Sequence, residues 1–308
     1  MSNRFRSIAV ALGAAASIAA AAFSAPAAAV VNVFACEPEW GALAQELGGD
    51  KVKIYTATTA LQDVHHVEAR PSLLARARNA DLMVCTGADL EVGWLPLLLS
   101  QSANPKIQTG QPGHLEASSF VAKLEVPSSV DRSQGDVHPA GNPHIHTDPH
   151  NIAKVGEALT ARLAQLDVAD ADFFKARGAA FQDKWRGAMQ GWETRAAPLK
   201  GVPIVVYHKD LSYLIRWLGM REVGALEPKP GVPPTTGYLS ELLGRLKTDP
   251  ARIIVRSAYA DPKAGEWLSE RAKVPAIMLP YTVGGSDAAK DLFSLFDDTI
   301  ARLQGALK

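Results

Sequence analysis

The sequence predicts an α/β protein of two lobes, each a parallel sheet flanked by helices, joined by one long helix. Three observations point there. Short apolar runs alternate with amphipathic segments from Val30 to about Ser100, the rhythm of βα units in a parallel sheet. A helical pattern then runs from Asp170 to Ala197 with no proline until Pro198. Beyond Val202 the alternation restarts. The boundaries that follow are a leader over 1–29, an N-terminal lobe over 30–168 with a His-rich loop at 128–150, a linking helix over 169–199, and a C-terminal lobe over 200–308.

Each element has a local reason. Val30–Ala35 reads as a strand and Trp40–Leu47 as a helix that stops at Gly48-Gly49. Val52–Ala57 is strand-like, Ser72–Asn79 is helical with Ser72 as the expected cap, and Leu82–Cys85 is a short buried strand. Val92–Ser100 reads as a helix. Ser128–Pro149 is rich in Ser, Gly, Pro, Asp and His and reads as an exposed loop. Asn151 is the expected cap of a helix to about Leu166. The long helix carries Phe173, Phe174, Phe181, Trp185, Met189 and Trp192 at mostly helical spacing, a stripe that reads as core. The second half offers strands at Val202–Tyr207, Arg252–Arg256 and Ala276–Leu279. Its helices are Leu211–Leu218, Tyr238–Lys247, Ala264–Ala272 and Ala288–Leu307.

The N-terminus has Arg4 and Arg6, an Ala-rich apolar run from Ile8 to Phe23, and small residues ending at Ala27-Ala28-Ala29. That is the pattern of a cleaved secretory signal peptide, which places the chain in the periplasm. Composition fits a globular protein, with 47% hydrophobic and 21% charged residues. Lys plus Arg and Asp plus Glu are 32 each, so no basic excess points to nucleic acid. The two cysteines, Cys36 and Cys85, end two strands that could be neighbours. A disulfide and a pair of buried free thiols both fit, and no CxxC-like spacing marks them as metal ligands.

The eight histidines are the strongest signal. His65 and His66 follow one strand, His208 follows another, and His138, His144, His146 and His150 crowd the mid-chain loop. His114 stands alone in a glycine- and proline-rich turn and reads as surface. Ligands of open α/β sheets bind beyond the carboxyl ends of the strands, and neutral imidazole suits zinc.

Local sequence sharpens this. Asp63-Val64-His65, with Pro71 six residues after His65, resembles the first ligand motif of the cluster A-I metal-binding proteins, which serve zinc and manganese ABC importers. Asn142-Pro143-His144-Ile145-His146-Thr147-Asp148-Pro149 resembles their second motif, with Asn142 in place of Asp and His146 in place of an aromatic. Tyr207-His208-Lys209-Asp210 resembles the third, and Glu227-Pro228 also fits. The resemblance covers nearly the whole exported chain. It implies two lobes with the metal, Zn(II), between them, held by His65, His144 and His208. The family's acidic fourth ligand falls on Asp287, the first acid after the last strand, which otherwise caps the final helix. Glu68 and Asp210 are candidates to orient the ligands, and His138 and His146 to form an auxiliary loop site that gathers metal. The partners implied are a zinc ion, an inner-membrane ABC permease and a periplasmic metal chaperone, with the protein itself a monomer. His208 favours zinc, because manganese-type members commonly carry Glu there. A manganese carrier and an exported adhesin on this fold are the alternatives. An exported zinc hydrolase is disfavoured, since neither HExxH nor a Gly-x-Ser-x-Gly elbow occurs.

Overall fold

The computed structural model describes residues 30–129 and 135–308. The leader and residues 130–134, near the start of the His-rich loop, lie outside the described residues. In the N-terminal lobe, β1 (Val31–Ala35), β2 (Val52–Thr56), β3 (Leu82–Cys85) and β4 (His114–Glu116) form one parallel sheet in the order β2-β1-β3-β4. In the C-terminal lobe, β5 (Pro203–Val206), β6 (Arg221–Ala225), β7 (Ile253–Ser257) and β8 (Ala276–Leu279) repeat that order as β6-β5-β7-β8, again all parallel. Each lobe is therefore doubly wound. Its strand order reverses beside β1 or β5, where a crevice opens beyond the carboxyl ends. The central strand β3, Leu-Met-Val-Cys, is buried throughout, as a strand covered on both faces must be.

Four helices of the first half begin with proline in the first turn. They are α1 (Pro38–Gly48), α2 (Pro71–Arg78), α3 (Leu95–Ser102) and α4 (Pro149–Leu166). Proline fits there because the first helical N–H groups have no partner within the helix. This corrects two expected caps. Ser72 lies inside α2, whose cap position is Arg70, and Asp148 rather than Asn151 caps α4 by accepting from His150 N. The third helix starts at Leu95 rather than Val92, because Ala88 and Asp89 take left-handed turn conformations just upstream.

The long helix α5 (Ala171–Ala196) has 26 residues and spans about 40 Å. It packs on α1 and α4 on one side and on α9 (Leu292–Gly305) on the other. Phe181, Trp185 and Trp192 are almost fully buried, and Trp185 and Trp192 meet Phe293 and Phe296 of α9 at centroid distances of 4.9–6.3 Å. Burying each such aromatic stabilises by about 2–3 kcal/mol. Their apolar cluster runs without a break from β1 and α1 to β5, β7 and α9, so the lobes share one core. The remaining helices, α6 (Ser212–Leu218), α7 (Thr236–Arg245) and α8 (Lys263–Ala272), cover the second sheet. No helix among the described residues is long and apolar enough to cross a membrane.

Cys36 and Cys85 are joined by a disulfide with their Cα atoms 4.8 Å apart. It ties the carboxyl ends of β1 and β3, which the sheet places side by side.

Candidate metal centre

Three histidines from three connections meet between the lobes. His65 sits in a single 3₁₀ turn (Val64–His66) after β2. The Asp63 carboxylate caps this turn by accepting from His65 N at 3.0 Å, and the same oxygen lies 2.8 Å from His65 Nδ1. Trp94 Nε1 donates to the Val64 carbonyl at 3.0 Å and fastens the turn to the lobe. A Cβ at Gly93 would lie 3.0 Å from the His65 carbonyl, so the close approach favours glycine there.

His144 stands at the entrance to α4. Asn142 Oδ1 accepts from His144 N at 2.9 Å, while Asn142 Nδ2 donates to the Lys209 carbonyl at 2.7 Å across the lobe boundary. A carboxylate could accept the first bond but could not donate the second, which accounts for asparagine at this place. His208 follows β5, and its Nδ1 lies 2.7 Å from Glu227 Oε2.

One ligand atom from each of His65, His144 and His208 falls within 4.8 Å of the others. Their Nδ1 atoms are engaged by Asp63, Tyr281 and Glu227 respectively, the Tyr281 hydroxyl at 2.8 Å from His144. The two carboxylates can only accept and so fix the tautomer that offers Nε2 to a metal, while the Tyr281 hydroxyl orients the His144 ring. His144 Nε2 is fully buried with no hydrogen-bond partner, an orphan that a cation would satisfy. A fourth ring lies beside one of them: His138 Nε2 is 3.2 Å from His65 Nε2. Two donors bound to one tetrahedral zinc at about 2.0–2.1 Å lie about 3.3 Å apart. A cavity of about 210 Å³, lined by Asp136, His138, His144, His208 and Lys209, opens beside the cluster.

Electrostatics keep two of these rings neutral. Burial, then the neighbouring histidines, pushes His144 well below the usual imidazole range. Burial and His65 and His208 bring His138 down to about 4. Burial also works against a charge on His208, but the hydrogen bond to Glu227 and the field of Asp210 outweigh it and raise its pKa. A neutral imidazole is the form that binds metal.

The remaining candidates are dispersed. Asp287 is exposed in the turn before α9 and lies outside the cluster, and the cap of α9 is Asp291, paired with Ser294 in a capping box. The expected start of that helix at Ala288 is thereby moved to Leu292. His146 is not a loop residue. It is buried in the turn after His144, with Nδ1 3.1 Å from Glu39 Oε1 and its ring against Tyr281, doing the packing of the aromatic it replaces. So His138 and His146 form no pair. Glu68 is exposed. Asp210 is buried and accepts from Ser257 Oγ and Tyr259 Oη, affecting His208 through its field alone. His66 and His150 are exposed.

The orienting residues Asp63 and Tyr281 escaped the sequence reading, as did the role of Glu227. Asp63 had a signal, since an Asp two residues before a His can cap its turn. Tyr281 had none. It lies 137 residues from His144, in the left-handed region at φ 67°, held by that hydrogen bond and by Tyr259 and His146 around its ring.

Two doubly wound lobes on one long helix, with imidazoles converging between them, define a bilobal metal-binding protein. The family model for ZnuA, described as zinc-uptake complex component A periplasmic, matches residues 33–306, and the chain belongs to that family. Its members are solute-binding components of metal importers that work with an ABC permease, not enzymes. Solved structures share the fold. A crystal structure of ZnuA is 20% identical with a TM-score of 0.75, covering 91% of this chain and 100% of its own. A cadmium-bound periplasmic metal-binding protein from Candidatus Liberibacter asiaticus is 16% identical with a TM-score of 0.72, covering 90% and 100%. A mutant laminin-binding adhesin from Streptococcus agalactiae is 18% identical with a TM-score of 0.74, also covering 90% and 100%.

Proposed function

We infer that this protein captures Zn(II) after export to the periplasm and delivers it to an inner-membrane ABC permease. One observation carries the reading: three imidazoles, two of them buried and each engaged through Nδ1, converge with His144 Nε2 unpartnered. An all-nitrogen set favours zinc over manganese, which prefers carboxylate and carbonyl oxygen. Carboxylates engaged on imidazole Nδ1 atoms, as Asp63 and Glu227 are, suit capture and release rather than hydrolysis. His65, His144 and His208 are the primary ligands. His138, whose Nε2 lies 3.2 Å from that of His65, is the nearer candidate for a fourth nitrogen, and Asp287 reaches the same place only if its turn swings inward about Gly284 and Gly285.

The test is competitive titration of the metal-stripped protein with zinc and with manganese, for the parent and for His208→Ala, His138→Ala and Asp287→Ala. One tight zinc per chain, preferred over manganese and weakened at least ~100-fold by His208→Ala, is the expected result for loss of a primary ligand. Greater loss with His138→Ala than with Asp287→Ala assigns the fourth position to His138, and the reverse assigns it to Asp287. Tight manganese binding, or zinc binding indifferent to His208, would remove the basis for a zinc carrier.

A further inference from the structure

The sequence places His114 on the surface, but the structure buries it. It opens the edge strand β4, and its side chain is only 4% exposed. Residues two apart on a strand face the same side, so His114 and Glu116 project together. They line an open cavity of about 550 Å³ on the N-terminal lobe, with Asp89 and Gln108 on its walls. None of these residues belongs to the interlobe cluster.

The His114 ring is fixed in one tautomer. Nδ1 lies 2.9 Å from the Ile107 carbonyl, which can only accept, so Nδ1 carries the proton. Nε2 is the ring nitrogen left to face Glu116. Nε2 is fully buried and makes no hydrogen bond, yet Glu116 Oε1 stands 3.4 Å away. A proton on Nε2 would make the contact an ion pair, and a metal cation between the two atoms would satisfy both in its place. The separation matches that of two ligands on one tetrahedral zinc, about 3.3 Å. A backbone carbonyl on Nδ1 with Nε2 free is also how metal-binding histidines are commonly oriented. The strand is held from behind, since Arg162 donates to the carbonyls of Pro112 and His114 at 2.6 and 2.7 Å. On the other side, a Cβ at Gly87 would meet the Glu116 Cβ at 3.1 Å, and its φ of 75° also favours glycine.

We propose that His114 and Glu116 bind a second divalent cation of the borderline class typified by zinc, with water from the cavity completing its shell. Two protein ligands make this site weaker than the interlobe one, and it does not depend on how that site is filled.

The experiment uses zinc itself. The purified protein is loaded with one equivalent, and the second is titrated against a chromophoric chelator for the parent, Glu116→Gln and His114→Gln. Glu116 is 41% exposed, so its variant keeps the fold even if the buried His114 variant does not. The expected result is a second equivalent weakened about tenfold or more in Glu116→Gln, with the first unchanged. A parent that takes no second zinc overturns the proposal. So does a second equivalent that Glu116→Gln leaves intact, for the loop histidines would then be holding it. The first equivalent, read in the same titration, reports separately on the interlobe site.

Discussion

The histidines of the interlobe cluster are ordinary side chains made specific by what holds their far nitrogens. Glu227 shows this most clearly. Its Oε2 lies 2.7 Å from His208 Nδ1 and also accepts from Gly231 N at 2.9 Å, so one oxygen both aims a ring and pins the turn beside it. Glutamine could keep the acceptor but not the charge that makes His208 a stronger donor. Alanine would lose both. The expected outcome is a graded loss of zinc affinity, about tenfold for Glu227→Gln and about a hundredfold for Glu227→Ala, measured by chelator competition. Equal affinity in all three proteins would mean that Glu227 serves the turn alone. The ligand histidines were legible because a histidine after a strand, inside a recognisable motif, needs only local sequence. Their carboxylate partners were harder, since Glu68 and Asp210 sit within three residues of His65 and His208 while Glu227 lies 19 residues from His208. Only the fold separates an exposed Glu68 from an Asp63 turned back onto its own histidine.

At the scale of elements, the carboxyl ends of β1 and β3 bury more than a disulfide. Glu37 and Glu91 converge on the strand end, and both accept from Thr86 N, at 3.2 and 2.7 Å. Burial raises Glu91 to about 7, and burial together with the charges of Glu91 and Glu39 raises Glu37 well above the carboxylate range. The native state thus holds protons that the unfolded chain releases near pH 4.3. Where the native state binds more protons, stability falls as pH rises. The cost from Glu91 is absent below about pH 4, grows through the interval to about 7 and is constant above it. Glu91→Gln, uncharged throughout, should therefore gain on the parent by on the order of 2 kcal/mol between pH 4.5 and 7.5. Urea unfolding of the metal-free proteins at the two pH values measures this, and parallel curves would contradict it. The histidines cancel in that difference. The element pattern itself was readable wherever a hydrophobic run was long, as in α5, β3 and β8. It was silent at β4 and β6. These are edge strands, three residues in one case and half-exposed in the other, and their identity rests on pairing with β3 and β5 rather than on composition.

For the whole molecule, the question is whether two lobes behave as one cooperative body. The continuous core through α5 says that they do. So do the polar ties across the boundary: Thr282 Oγ1 to Glu39 Oε2 at 2.5 Å, Tyr213 Oη to the Asn142 carbonyl at 2.7 Å, and Asp136 N to the Pro230 carbonyl at 2.9 Å. The last tie closes the loop bearing His138 onto the turn that Glu227 pins, so the cluster and the boundary are made of the same contacts. A ligand that binds only the folded form stabilises it by mass action, about 2.7 kcal/mol at a hundredfold excess over its dissociation constant. For a chain of this size that corresponds to a rise in Tm of about 4–5 °C. Calorimetry of the metal-free protein should show a single transition, and zinc should move all of it upward while His208→Ala abolishes most of the shift. If the melting resolved instead into two transitions with only one responding to zinc, the metal would be bound within a lobe. The shared core would then be too weak to couple the two halves.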